Sequence, residues 1–487
     1  MTDTNLQSKL KNIFCWIKNH NEIIALIIIC IGVVCYSIGA TRILKNFRAE
    51  TFILVGGIIF ILCNYRQFSR IDWQILRIPI ICIGIITALG FMTYFDEILP
   101  PKSFLALIRT MNSNIWGYFA VFFLCYFFSR YVREKFAWFV MYLIAFMCML
   151  NVLAMIFLAM KNGFYHESFK QNVPFFFTAI TAYNVWIPLP LAISLAGIFV
   201  FKKKLRLLFI GCFVASVIAL VSNGERSFFV ASAIMLFIPF IFYKYRYKWQ
   251  ILLIFFSVIS VAFYSIYHFS ASLPARYNVH NIISNIGTVW NTPPIEMGKY
   301  DIYCFDSSWL KCEEESIKNG LSEINIEHSA LSRLNMTKST LLAFWDNPLM
   351  PRVPDVLQTG EYLHEYYKKH NPQNGSYIAL LGSGEKKVLY YNHNHNFIAG
   401  LLFCYGIVGF GAIMISIGYL LFIAYNATKV SDYRVRVLGL AMIAFVCGIG
   451  VHLCFDAFLT MMGKTFFVLL GLSIGVLTRY LPKSALK

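Results

Sequence analysis

Charge is scarce in this chain. Asp, Glu, Lys and Arg make up only 14% of its 487 residues, and just 24 residues are acidic, against 42 Lys and Arg. So little charge does not suit a soluble globule of this length. An internal repeat is missing, as is any low-complexity tract. No small-residue cleavage motif follows the first apolar run, which is therefore expected to be a permanent span and not a removed leader. Few charges interrupt the apolar stretches. A carrier of lipid or solute would show paired midplane charges and repeat symmetry, so a transporter is disfavoured.

What fills the chain is hydrocarbon. Hydrophobic residues make up 58% of it. Apolar runs of roughly 20 residues recur along most of its length. Backbone groups in lipid must be satisfied within the segment, so these runs are helices. The expectation is an all-α polytopic membrane protein of about twelve spans. They fall near 22–40, 51–65, 78–95, 115–131, 136–160, 179–200, 206–222, 227–243, 250–268, 396–424, 437–455 and 464–479. The chain then divides into residues 1–268 with spans one to nine, a large loop at 269–395 with short helices, and residues 396–487 with the last three spans.

The formal charge of +18 orients the helices and does not call for nucleic acid. With the N-terminus inside, the inside segments hold 22 basic residues, among them Arg66, Arg70, Arg130, Lys202, Lys203, Lys204, Arg434 and Arg479, and the short outside loops hold nine. One outside loop runs against this bias, with Arg42, Lys45 and Arg48. Either the second span is misplaced or the patch faces an anionic partner.

The segment from Ser270 to Asn394 is polar and carries more than half of the acidic residues. It is too long to lack structure of its own. Apolar spacing from Leu331 to Phe344 predicts a helix, ended by Pro348, Pro351 and Pro354. Eleven of the thirteen cysteines lie in or beside apolar runs, while Cys304 and Cys312 lie in this loop.

At the close of the loop stands Tyr390-Tyr-Asn-His-Asn-His-Asn-Phe-Ile398. A histidine held at the membrane boundary can take a proton from a hydroxyl, which makes His393 and His395 candidates for a base. A polar cap on the next helix explains them equally simply, and H-x-H on an extended segment also suits a metal. No third and fourth ligand stand nearby. Arg226, in the turn Ser222-Asn-Gly-Glu-Arg-Ser227, has a fork that fits phosphate oxygens, or it pairs with Glu225 beside it. Arg333, on the expected loop helix, is a second such fork or a solvated surface residue. Arg276, Lys338, Arg352 and His328 are weaker candidates of the same kind.

Taken in order, these motifs resemble the O-antigen ligase and polymerase superfamily of bacterial cell-envelope glycosyltransferases. His395-Asn396-Phe397-Ile398 followed by Gly406-Ile407-Val408-Gly409 is similar to the family's H-N-x-x-L…G-x-x-G. Ser222–Ser227 is similar to the outward turn with an essential arginine. Ser332-Arg333-Leu334, followed by Trp345 and Asn347-Pro348, is similar to the loop-helix motif with a second. The likeness covers about residues 180–425; beyond them it is topological. It departs where the family has a Gly-rich P-x-x-G-x-G and this chain has Leu349-Met-Pro-Arg-Val-Pro354. The segment 291–328 looks like an insertion.

The resemblance implies a GT-C-like fold in the bacterial inner membrane, with the large loop and the active site periplasmic. It implies metal-free transfer, without cofactor, of a glycan from undecaprenyl diphosphate to a sugar hydroxyl, with inversion. The acceptor would be lipid A–core. Polymerase and protein O-oligosaccharyltransferase are the nearest alternatives. His395 would be the base, with His393 or Asn396 beside it, and Arg226 and Arg333 would hold the diphosphate. Arg42, Lys45 and Arg48 would meet acceptor phosphates, and Arg276, Lys338 and Arg352 would assist binding. Substrates and membrane lipids are the expected partners, without nucleic acid.

On this topology Cys304 and Cys312 face an oxidising compartment, and their closeness in sequence favours a disulfide. Intact mass after alkylation, with and without reductant, should show two thiols released only by reductant. Two freely alkylated thiols in unreduced protein would remove the bridge.

Overall fold

The computed structural model describes residues 3–38, 42–44, 47–162, 186, 188–223, 226–243, 248–269, 283, 286–287, 290–291, 328–370, 395–456 and 460–482. Their principal helices are α1 (Asp3–Ser37), α2 (Ala49–Asn64), α3 (Arg70–Met92), α4 (Phe104–Met111), α5 (Gly117–Tyr131), α6 (Glu134–Asn162), α7 (Pro188–Val200), α8 (Lys203–Asn223), α9 (Arg226–Phe242), α10 (Lys248–Phe269), α11 (His328–Asp346), α12 (Thr359–His370), α13 (Phe397–Ala427), α14 (Tyr433–His452) and α15 (Thr460–Tyr480). The described strands are two short ones, β1 (Arg42–Leu44) and β2 (Phe47–Arg48), paired antiparallel between α1 and α2.

The chain is an all-α, multi-pass membrane protein. Seven described helices are long and apolar enough to cross a bilayer: Lys18–Ser37, Ala49–Gln67, Arg70–Phe95, Glu134–Lys161, Phe397–Ala427, Tyr433–His452 and Met462–Tyr480. Each of the twelve apolar stretches read from the sequence coincides with a helix at least in part. The helix of the sixth is described from Pro188; of 179–187 only Trp186 is among the described residues. The N-terminal segment, polar in sequence, is already helical from Asp3, so α1 starts well before its apolar portion. The short second span stands where expected, as α2.

Lipid offers helices no hydrophobic reward for meeting, so close backbone approach and polar ties carry the packing. The α5–α15 contact shows the first. A Cβ on Gly471 would come within 2.4 Å of Phe122 O, and one on Gly475 within 2.5 Å of Tyr126 O. Gly471 and Gly475 are four residues apart on one helix face, the small-x-x-x-small spacing that lets backbones touch. At the far end of the same pair, Asp72 of α3 is fully buried and pairs with Arg130 at 2.5 Å. It also accepts from Tyr126 Oη at 2.8 Å and from the Tyr131 hydroxyl.

The loop helices α11 and α12 sit on α13, and the segment between them is wedged into it. Gly406, inside α13, has φ 63° and ψ −178°, so the helix breaks there. Pro348 O takes the Ile407 N–H at 2.9 Å, Arg352 N–H donates to Cys404 O at 3.0 Å, and Tyr405 Oη donates to Pro354 O at 2.8 Å. The Asn347-Pro348 and Gly406-x-x-Gly409 motifs therefore meet. The loop carbonyl replaces a helix bond that the break removes.

A Cβ on Gly406 would stand 2.9 Å from Leu349 O and would carry a left-handed φ. Gly406→Ala should cost about 1–3 kcal/mol and lower the melting temperature in detergent. Gly411→Ala, where a Cβ meets nothing within 4 Å, is the matched control. Equal melting of the two variants would show that the wedge does not hold the helix.

Candidate functional site

The last residues before α13 are set by a cap. Asn396 is extended, at φ −124° and ψ 96°, and its side-chain oxygen accepts the Ala399 N–H at 3.0 Å. That is what an N-cap asparagine does. The cap leaves His395 just outside the helix, on the polar side. The Phe397 N–H is then shared by two carbonyls of the turn that follows α14, Leu453 O at 2.9 Å and Asp456 O at 3.2 Å. This main-chain knot brings two segments far apart in sequence side by side.

The result is a histidine–carboxylate pair. His395 Nδ1 stands 3.4 Å from Asp456 Oδ1, and the two side chains are 21% and 20% exposed. Burial pushes the Asp456 carboxyl up. The His395 hydrogen bond, the charge of Arg333 and the two histidines together outweigh it and hold the group at about 2. With Asp456 ionised, its oxygen accepts from the Nδ1–H of His395.

A second histidine completes the arrangement. His452, the last residue of α14, is fully buried. Its Nδ1 lies 2.8 Å from Ser227 Oγ, and its ring stacks on Phe228 at 4.4 Å. Ser227 and Phe228 are the second and third residues of α9, directly after Arg226. The start of α9 is thereby pinned to the end of α14, four residues before Asp456. Arg333, in the first turns of α11, is half-buried, and its charge reaches both Asp456 and His452.

Three of the sequence candidates thus converge: His395, Arg333 and, by its backbone position, Arg226. The Arg226 side chain, His393, Arg276, Lys45 and Glu225 fall outside the described residues, as do Cys304 and Cys312. Of the remainder, the side chains of Arg42 and His328 also fall outside the described residues. Arg352 is buried, donates from Nη2 to Ala343 O at 2.6 Å, and lies against the rings of Phe403, Tyr366 and Tyr362. Lys338 is buried on α11, and burial pushes its ammonium below the usual lysine range. Arg48 is exposed and pairs with Glu50 at 3.8 Å, while Glu50 also holds the buried Lys464 of α15. Arg42 lies on β1, with its backbone facing Arg48. Among the described residues no group of three or more His, Cys, Asp or Glu gathers as a cation site.

Sequence reasoning passed over His452 and Asp456. The signal was present: an ionisable residue inside an apolar span is a functional candidate by default. His452 lies within the eleventh span and Asp456 one residue past its end.

Beneath the pair lies a cavity of about 390 Å³ between α3, α5, α13, α14 and α15. Its walls are apolar, with Ile86, Tyr118, Leu401 and Ile417 among them. Phe397 and Leu453, the residues of the main-chain knot, line it. Its few polar groups include Asn114 and Asp355, hydrogen-bonded to each other at 2.6 Å. Burial pushes the Asp355 carboxyl up, against the Leu357 N–H and the Asn114 amide. Chemically, the arrangement offers a proton acceptor, a cation beside it and an adjoining apolar chamber.

No protein-family model matches the chain, and no curated protein matches it in sequence.

Asp456 sits below the ordinary carboxylate value of 3.8 when folded. Its ionised form therefore stabilises the fold at neutral pH. That contribution is complete above 3.8 and drains as pH falls towards about 2. Asp456→Asn should cost about 2 kcal/mol at neutral pH, and the gap from the parent should shrink through that window. Unfolding of both proteins across the pH range checks this; a gap independent of pH contradicts it.

Proposed function

We propose that this chain is a membrane glycosyltransferase of the O-antigen ligase type. It transfers a glycan from undecaprenyl diphosphate to a sugar hydroxyl of lipid A–core. The observation that carries the reading is His395 paired to Asp456, with Arg333 in reach, above an apolar cavity within the membrane helices. That combination suits a donor with a charged head and a long hydrocarbon tail.

The chemistry follows from the residues. His395 Nε2 accepts the proton of the acceptor hydroxyl. The oxygen attacks the anomeric carbon as its bond to the diphosphate breaks, which inverts that carbon. Asp456 holds the ring and stabilises the imidazolium that forms. Arg333 and Arg226 balance the charge that develops on the departing diphosphate. No nucleotide is needed, because the energy resides in the donor's diphosphate bond. The loop and the site are then periplasmic in a bacterial inner membrane.

Purified protein, given the lipid-linked glycan and lipid A–core, should transfer glycan and should do so in EDTA. His395→Ala should lose roughly 10²–10⁴-fold in rate with normal insertion. Arg226→Lys and Arg333→Lys keep charge but lose the bidentate fork, and should lose most activity. Near-normal transfer by His395→Ala, or loss in EDTA restored by a divalent ion, refutes the mechanism. A deletion strain separates the acceptors. Lipid A–core without any O-chain supports the ligase. Core capped with one repeat unit identifies a polymerase, and normal long chains beside an unglycosylated protein identify a protein glycosyltransferase.

A further inference from the structure

The candidate site occupies one end of the helix bundle. At the other, where α5 and α15 finish and α6 begins, a second pocket of about 400 Å³ is lined by Arg130, Tyr131, Glu134, Arg479 and Tyr480. The separation follows from helix length. α15 starts four residues after Asp456, and its 21 residues carry Arg479 about 30 Å away.

The pocket has a cationic wall and an anionic wall. Arg479 donates from Nε to Arg130 O at 2.6 Å and from Nη2 to Val132 O, which closes the end of α5. Arg130 is held by its Nε against Asp72, and its side chain is 11% exposed. Both arginines line the pocket, so an oxyanion placed there would meet two cations. Opposite stands Glu134, half-exposed, accepting from Tyr480 Oη at 2.6 Å and facing Arg434 at 3.5 Å.

The local charges cancel. Asp72 offsets Arg130, and Arg434 is shared between Asp432 and Glu134. A purely anionic ligand would gain little net attraction here. A ligand with a phosphate and a nearby ammonium would match both walls. The pocket also opens beside lipid. Glu134, Trp138, Tyr142 and Phe146 follow each other every four residues on α6, so they share a face. Tyr142 and Phe146 are 56% and 59% exposed, and Trp138 Nε1 donates to Tyr480 Oη at 2.8 Å as an interfacial aromatic does.

We propose that this pocket binds the headgroup of a zwitterionic phospholipid bearing a primary ammonium, in the leaflet remote from the candidate site. The phosphodiester sits against the Arg130 and Arg479 wall, the ammonium on Glu134, and the acyl chains run along the Tyr142–Phe146 face. This assignment is independent of the proposed reaction.

Native mass spectrometry of the full chain, titrated with phosphatidylethanolamine, phosphatidylcholine, phosphatidylglycerol or inorganic phosphate, tests it. Phosphatidylethanolamine should be retained about fivefold better than either other lipid, the worth of one exposed ion pair. Arg479→Gln should weaken its retention. Glu134→Gln keeps an acceptor for Tyr480 and should erase the preference for the primary ammonium while phospholipids still bind. Because Arg479 also closes the end of α5, the Glu134 variant decides alone. An undiminished preference in Glu134→Gln overturns the proposal. So does equal retention of the three lipids, tighter retention of phosphatidylglycerol, or displacement of the lipid by equimolar inorganic phosphate.

Discussion

One main-chain contact fixes the geometry of the candidate site. The Phe397 N–H is an orphan donor at the start of α13, and it is shared by the carbonyls of Leu453 and Asp456. At a helix N-terminus such donors must find acceptors outside the helix. Here the acceptors come from the turn that ends α14. The contact therefore sets the distance between His395 and Asp456. It also closes the apolar cavity below, because Phe397 and Leu453 line it. Asn396, capping the same turn, keeps His395 clear of the helix.

The positions of the arginines depend on that knot at one remove. His452 is fully buried and hydrogen-bonded to Ser227, so the N-terminus of α9 is registered against the end of α14. Arg226 is adjacent to Ser227 and inherits its place from this bond. Arg333 arrives differently, on α11, which packs on α13 through the Pro348–Pro354 wedge. Two arginines from separate parts of the chain thus reach one region through different supports. A buried polar bond holds one, and a broken helix holds the other.

The helices were legible in the sequence because a lipid environment leaves the backbone no alternative. Residues 22–40, 51–65 and 437–455 needed only hydropathy. The loop helix was legible too, from the spacing of Leu331, Leu334, Leu341 and Leu342. Partnerships were not. Asp456 lies 61 positions after His395, and no local pattern joins them. Arg352 is buried, with Nη2 on Ala343 O and the guanidinium among aromatic rings, and nothing local in the sequence shows those neighbours. Charge type is visible in a sequence; what a charge faces is decided by packing between distant elements. Arg48 shows the same limit, since its neighbour Glu50 was in plain sight while Lys464, which completes the cluster, is 414 positions from Glu50.

The break at Gly406 bears on the order in which the protein is built. Ile407 cannot satisfy its N–H within α13, because the ladder is interrupted there. Its acceptor, Pro348 O, belongs to a loop translated earlier. Until that loop has folded back onto the membrane, α13 carries a vacant donor near hydrocarbon, which is costly. The helix ladder at the break is therefore complete only when the segment around Pro348 is in place.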